Sequence, residues 1–318
     1  MEDYLSQNNS ASSDYQSHFY TPTYVTKYDE YYFIVDCWHH RILYSSFLLL
    51  PPREWNILDE RICGPHSIAS NGIIYVAEST GENSIKVYRK NGSQFSHIQT
   101  LSNIGRRPHR TIFSELLQIF IVLTSGDQHI HIFKEVEGIL ISVFHKNIKE
   151  LSGQYCRSMH LKDNILFIVG FNKIVTLCID KFTLHVTHLR TYLLPENLKI
   201  AYGINDIYVY DSGAILISLY PGVLIGSSSI MDLEKGNYID LSKHVKGTPY
   251  YINKIYDILV IPEIDSYSRV CLYPNIFLDQ GTFCSTRPEV IRDFGAPTNE
   301  SIARKKSIRS KILIFSHK

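Results

Sequence analysis

His66, His109 and His160 stand at the same place in three successive copies of one repeated phrase. Three neutral imidazoles brought to one centre are a sufficient donor set for a catalytic Zn²⁺, with a fourth position left for water or substrate. Imidazole alone does not choose the metal, so Fe²⁺, Cu²⁺ and Mn²⁺ share the expectation behind Zn²⁺. A divalent ion held this way lowers the pKa of its bound water to about 7 or polarises a carbonyl. Tyr250 is then the acid or base candidate, while Arg110, directly after His109, and Arg157, three before His160, are placed to orient an anionic substrate. Glu78 is a candidate general base or an outer partner that orients a ligating histidine. Thr23 and Asn205 complete the set as candidate substrate contacts. The plainer explanation of the same residues is a wet interior in which each histidine bonds a water and a carbonyl.

The elements that must position these residues are read from the repeat. Its copies open at Thr21 (TPTYVTKYDEYYFIVD), Gly64 (GPHSIASNGIIYVAE), Arg107 (RPHRTIFSELLQIFIVLTS), Arg157 (RSMHLKDNILFIVG), Tyr202 (YGINDIYVYDSGAILIS) and Gly247 (GTPYYINKIYDILVIPE). Thr23, His66, His109, His160, Asn205 and Tyr250 head their copies, at spacings of 43, 43, 51, 45 and 45 residues. A period in the forties with several short strands per copy predicts propeller blades. The second copy shows the punctuation, with HSIAS, IIYVAE, IKVYRK and FSHIQTL separated by NG, STGENS and NGSQ, turn signals that favour hairpins. The fold class expected is all-β, a single six-bladed propeller of four-stranded antiparallel blades. In that fold the start of each innermost strand gathers near one mouth of the central tunnel, so the six positions converge.

Residues 1–14 are read as a disordered polar segment, 15–283 as the propeller and 284–318 as a closing or capping extension, with 15–21 offering an outer strand to close the ring. Closure of that kind removes a sheet edge that would template aggregation. The 32 Lys and Arg nearly cancel the 31 Asp and Glu, so no global field draws nucleic acid or an anionic membrane. No apolar run approaches the ~18 residues that span a bilayer, and no leader pattern opens the chain, which predicts a cytoplasmic protein. The six cysteines form no CxxC pair and read as buried thiols. The basic run from Arg304 to Lys311 reads as a solvated tail. His129 and His131, two apart on one strand face, are a weaker metal pair. Asp36 with Arg41 reads as a turn-fixing pair beside His39 and His40.

IVDCWHHRILYS (34–45), GPHSIASNGIIYVAESTGENSIKVY (64–88) and GINDIYVYDSGAILIS (203–218) resemble the repeats of NHL-type six-bladed propellers. Within that superfamily the peptidylglycine amidating lyase is the chemical parallel. Its Pro-His motifs hold zinc in the channel, and Pro65-His66 and Pro108-His109 match them while Met159-His160 matches only the histidine. The resemblance implies a metal site, displaced from the axis because the three histidines fall on adjacent blades. The gluconolactonase and regucalcin family holds its ion with Glu, two Asn and Asp, and only Asn205 matches, which argues against calcium-dependent lactonase chemistry. A metal-independent strictosidine-synthase-like enzyme would place a carboxylate among the ring positions, and these contain none.

The reading that follows is a metal-dependent lyase or hydrolase acting on a small polar or glycan-like substrate at the channel mouth. The alternative is a non-enzymatic propeller scaffold that binds a protein or a carbohydrate there. A small-molecule or carbohydrate ligand is expected, nucleic acid and membrane are not, and a protein partner stays open. Tyr24, Trp38, Tyr202 and Tyr251 would suit sugar stacking, and core packing explains each as well.

Overall fold

A computed structural model describes residues 18–265, 268–274 and 289–291. The segments 1–14 and 15–17, and all of 284–318 apart from 289–291, lie outside the described residues.

Six antiparallel sheets follow one another along the chain. Blade one holds β1 (Pro22–Tyr28), β2 (Tyr31–Asp36), β3 (Arg41–Ser45) and β4 (Asn56–Asp59). Blade two holds β5 (Ile68–Ser70), β6 (Ile74–Ser79), β7 (Ser84–Asn91) and β8 (Gln94–Ser102), and blade three β9 (Pro108–Ser114), β10 (Ile119–Thr124), β11 (His129–Val136) and β12 (Ile139–Asn147). Blade four runs through β13 (Ser158–Lys162), β14 (Ile165–Val169), β15 (Lys173–Ile179) and β16 (Val186–Leu193). The short helix α1 (Glu196–Ala201) leads into blade five, made of β17 (Gly203–Val209), β18 (Ile215–Tyr220), β19 (Val223–Ser227) and β20 (Ile239–Asp240), with α2 (Ile230–Glu234) before its last strand. In blade six the inner strand is broken into β21 (Thr248–Pro249) and β22 (Asn253–Ile255), both paired to β23 (Ile258–Ile264). β24 (Arg269–Pro274) and β25 (Glu289–Ile291) complete it. The all-β six-bladed propeller expected from the repeat is the fold of the chain.

Strand alternation explains why six sheets make one body. Side chains of a strand point to opposite faces in turn, so an inner-blade strand that is apolar on both faces must be covered on both. On β2, Phe33 and Val35 pack toward Tyr75 and Ala77 of β6, while Ile34 packs toward Val260 of β23. On β10, Phe120 and Val122 meet Ile74 and Val76, whereas Ile119, Ile121 and Leu123 meet Leu166 and Ile168. One apolar cluster fills each seam, the last two joining blades four to five and five to six. Fully burying an aliphatic or aromatic side chain of this size contributes roughly 1.5–3 kcal/mol, so the seams carry the stability and the tunnel edge is left for polar groups.

The turn between second and third strands recurs. His40, Asn83 and Gln128 each end it in the left-handed region, at φ 54°, 53° and 54°. Asn tolerates that conformation better than most non-glycine residues. The His40 ring also accepts the Gly64 N–H at 2.9 Å, tying blade one to blade two.

Closure differs from expectation. Residues 18–21 are bent and form no strand; they fold under blade one, where Cys37 N–H donates to the Thr21 carbonyl at 3.1 Å and Trp38 N–H to that of Tyr20 at 3.0 Å. Blades six and one meet instead through Asn253 Nδ2, which donates to the Val25 carbonyl at 2.9 Å. Thr21 N–H also reaches the Ser268 hydroxyl at 3.3 Å. Among the described residues no helix is long and apolar enough to cross a membrane.

Candidate functional site

The starts of the inner strands form a ring of hydrogen bonds that passes from blade to blade. Thr23 Oγ1 donates to the His66 carbonyl at 2.9 Å. His66 Nδ1 lies 3.1 Å from Thr80 Oγ1, whose hydroxyl donates to the Pro108 carbonyl at 2.6 Å. That hydroxyl has one proton, so the geometry assigns the imidazole proton to His66 Nδ1. His109 Nδ1 is 2.9 Å from the Arg157 carbonyl, a pure acceptor, which assigns its proton the same way. Arg157 donates through Nη1 to Asn205 Oδ1, and Asn205 Nδ2 donates to the Pro249 carbonyl at 2.9 Å. Tyr251 N–H closes the circle on the Thr23 carbonyl at 3.4 Å.

This ring corrects the register predicted for blade four. Arg110 pairs with Leu123, Ser158 with Val169 and Asp206 with Ser218 at corresponding places. The residue before each is therefore the ring position, namely His109, Arg157 and Asn205. His160 sits farther along β13, opposite Phe167. Its ring meets Tyr208 edge-on at 4.9 Å and is hydrogen-bonded to the Val209 backbone, so it belongs to the seam between blades four and five. Enclosure there lowers its pKa to about 3.

The two remaining histidines do meet. The His66 and His109 rings stack at 3.7 Å between centroids and 30° between planes. Loss of hydration lowers His66 to about 3, with the Arg107 charge adding to the effect. It also lowers His109 well below the usual histidine range, helped by His66, Arg157 and Arg107. Both imidazoles are neutral at pH 7, and with Nδ1 protonated each keeps a lone pair on Nε2. Cys37 Sγ stands 3.8 Å from His66 Nε2, its thiol pushed up by burial and by Asp36 and so protonated. The exposed Arg107 and half-buried Arg157 flank the Tyr155 ring at 5.2 and 5.7 Å, and Arg157 also faces Tyr220 at 5.5 Å. The mouth thus pairs two neutral bases with two cations.

Below it, Tyr251 reaches from blade six to the opposite blades. Its hydroxyl lies 2.6 Å from His109 Nδ1 and 2.5 Å from the Arg157 carbonyl. Arg110 lies between the Tyr24 and Tyr251 faces, 4.3 and 4.4 Å from their centroids. Tyr251 and Arg110 together make a crossbar that spans the hub. Tyr250, 5 % exposed, lies tilted against Tyr251 at 4.6 Å between ring centroids, and burial pushes its phenol up, so it stays protonated at neutral pH.

Glu78 does not reach the rim. It is fully buried between blades two and three, accepting from Ser67 N–H at 2.8 Å and Ser67 Oγ at 2.5 Å, and burial raises its pKa. Asp206, on the inner strand of blade five, is a second buried carboxyl that sequence reasoning passed over. It accepts from Ser158 Oγ at 2.5 Å and Ile252 N–H at 2.6 Å, and burial raises it to about 6 against the pull of Arg110. Ser67-Glu78 is a contact within blade two, whereas Ser158-Asp206 joins blade four to blade five. Thr23 and Asn205, 1 % and 0 % exposed, are engaged in the ring itself.

The three-histidine metal centre is not assembled. Among the described residues no three His, Cys, Asp or Glu side chains come together to hold a metal ion. The third ring place carries the Arg157 guanidinium, a cation that would repel one. His129 and His131 lie with His145 on the outer strands of blade three, at 6.0 Å between successive centroids and away from the tunnel.

No protein-family model matches the chain, and no curated protein matches it. Solved structures share its fold. One, described as a candidate 6-phosphogluconolactonase from Bacteroides uniformis, superposes with a TM-score of 0.62 at 13 % identity over 85 % of each chain. A second protein so described, from Bacteroides fragilis, gives 0.52 at 13 % identity, over 74 % of this chain and 73 % of its own. Saccharomyces cerevisiae Sqt1 gives 0.51 at 11 % identity, over 84 % of this chain and 71 % of its own. At these identities the likeness is one of fold.

Proposed function

We propose that the rim above the crossbar binds a small anionic sugar derivative and hydrolyses an ester or lactone bond in it. The observation that carries this reading is the neutral His66–His109 stack beside Arg107 and Arg157. A neutral imidazole with a free Nε2 takes a proton from water as that water attacks a carbonyl, and a positioned general base contributes about 10²–10⁴-fold. The two guanidiniums would hold a phosphate or carboxylate and offset the charge that develops on the carbonyl oxygen. His109, fixed by Arg157 and Tyr251, is the base; His66 packs against it and keeps it unprotonated. The description of two fold relatives as candidate 6-phosphogluconolactonases supports the substrate class. No step here requires a metal ion.

The test is hydrolysis of 6-phosphoglucono-δ-lactone and of unphosphorylated glucono-δ-lactone, with elemental analysis of the same protein. Turnover of the phosphorylated lactone, reduced about 10²-fold or more in kcat by His109→Gln and raised mainly in KM by Arg157→Gln, is the expected result. Absence of turnover with both lactones sinks the hydrolase reading. A near-stoichiometric metal lost in His66→Ala/His109→Ala would restore metal chemistry.

A second reading, the binding scaffold, is favoured by the closed hub. Thr23, His109, Asn205 and Tyr250 are each at most 5 % exposed and are engaged within the hub. Unaltered thermal stability on adding either lactone would favour it.

A further inference from the structure

Arg110 presents a buried cation without a hydrogen-bonded acceptor, although Asp206 and Glu78 act on it through space. It is 5 % exposed, and its Nε and Nη1 are buried without any acceptor. Burying an ionised group without partners costs several kcal/mol, so such groups are retained where something else satisfies them. The two tyrosine faces offset part of that cost through the ring quadrupole. They cover the guanidinium plane only, and its N–H groups point outward from the edge.

The neighbouring carboxyls do not supply the acceptor. Asp206 is held by Ser158 and Ile252, and Glu78 by Ser67. Neither comes within 4.0 Å of Arg110 as an ion pair, whereas Asp36 and Glu263 each reach an arginine at 2.8 Å. We propose that the hub binds a small monovalent anion, of formate or halide size, on the edge of Arg110 between Tyr24 and Tyr251. The aromatic faces limit the occupant's size. The inference stands independently of the hydrolase reading.

Two probes test it. In solution, sodium formate at constant ionic strength, balanced by the sodium salt of a bulky buffer anion, should raise the Tm saturably by about 5 °C at roughly 100 times the Kd. Arg110→Met should lose that rise. In crystals of the wild-type protein grown with sodium bromide, an anomalous peak should lie beside Arg110 Nε. If Arg110→Met does not fold, Arg110→Lys, which keeps the charge and loses the planar edge, should weaken the formate response at least tenfold in concentration. Equal, unsaturating responses in wild type and variant overturn the proposal. So does a map with only water beside Arg110. A bromide peak with no saturable formate response would be an adventitious ion only, and overturns it too.

Discussion

The second and third strands of blades one and six and the centre of the tunnel each bury arginine, and they satisfy it in opposite ways. Within blade one Arg41 lies directly across the strand pair from Asp36, and within blade six Arg269 from Glu263. Each carboxylate collects further donors: Tyr20 N–H at 2.7 Å and His39 Nδ1 at 2.7 Å on Asp36, Gly247 N–H at 2.6 Å on Glu263. In the tunnel Arg110 has aromatic faces and open N–H groups. In blade six Cys271 and Tyr273 also bond Glu263, among the residues that face blade five. Hydrogen-bonded charges lock these strand pairs, whereas Arg110 keeps N–H groups without an acceptor.

Breaking a pair should do the most damage. Glu263→Gln leaves Arg269 buried against a neutral amide and should cost about 3–5 kcal/mol in urea unfolding, because an uncompensated buried charge remains. Adding Arg269→Met should recover most of it. A loss under about 1 kcal/mol from the single change would erase the contrast between the two regions.

The pH response comes next. His66 and His160 fall to about 3 in the fold from a reference value of 6.5, so the unfolded chain takes up their protons first. Their contribution is complete above pH 6.5 and is lost as the pH falls from there toward 3, at about 1.4 kcal/mol per pH unit for each proton. Asp206, raised to about 6 from 3.8, works in the other direction, its contribution present below 3.8 and lost as the pH rises through 6. His160→Gln should therefore flatten the acid limb of a stability–pH curve by about one proton, and Asp206→Asn should steepen it. An unchanged limb in His160→Gln would mean that the ring is not held neutral in its seam.

Arg110→Met, measured without small anions, should leave stability unchanged or raise it, since no hydrogen-bond partner is orphaned and a buried cation without an acceptor is removed. A cost like that of Glu263→Gln would show that Arg110 has a hidden protein partner. Arg190→Ala is the baseline, because its exposed pair with Glu234 at 2.8 Å should be worth about 0–1 kcal/mol.

The blade count was legible because turn residues and apolar strands recur with a period that chain geometry imposes. Five of the six ring positions were legible for the same reason. The sixth failed because a histidine was preferred to an arginine three residues earlier. The 51-residue spacing was the warning, and choosing Arg157 replaces it with 48 on both sides. Orientation was less legible. Whether Glu78 faces the rim or a seam depends on which face of β6 turns inward, and alternation does not give the phase. Tyr251 was read as a stacking surface because its contacts lie about a hundred residues or more away, at Arg157 and His109. Nothing local in YYINK marks a side chain that crosses the tunnel.

That crossing makes one side chain a spoke, tying blade six to blades three and four across 142 and 94 residues of chain. Shortening the spoke, as Tyr251→Ala would, removes both that tie and one of the two aromatic faces on Arg110.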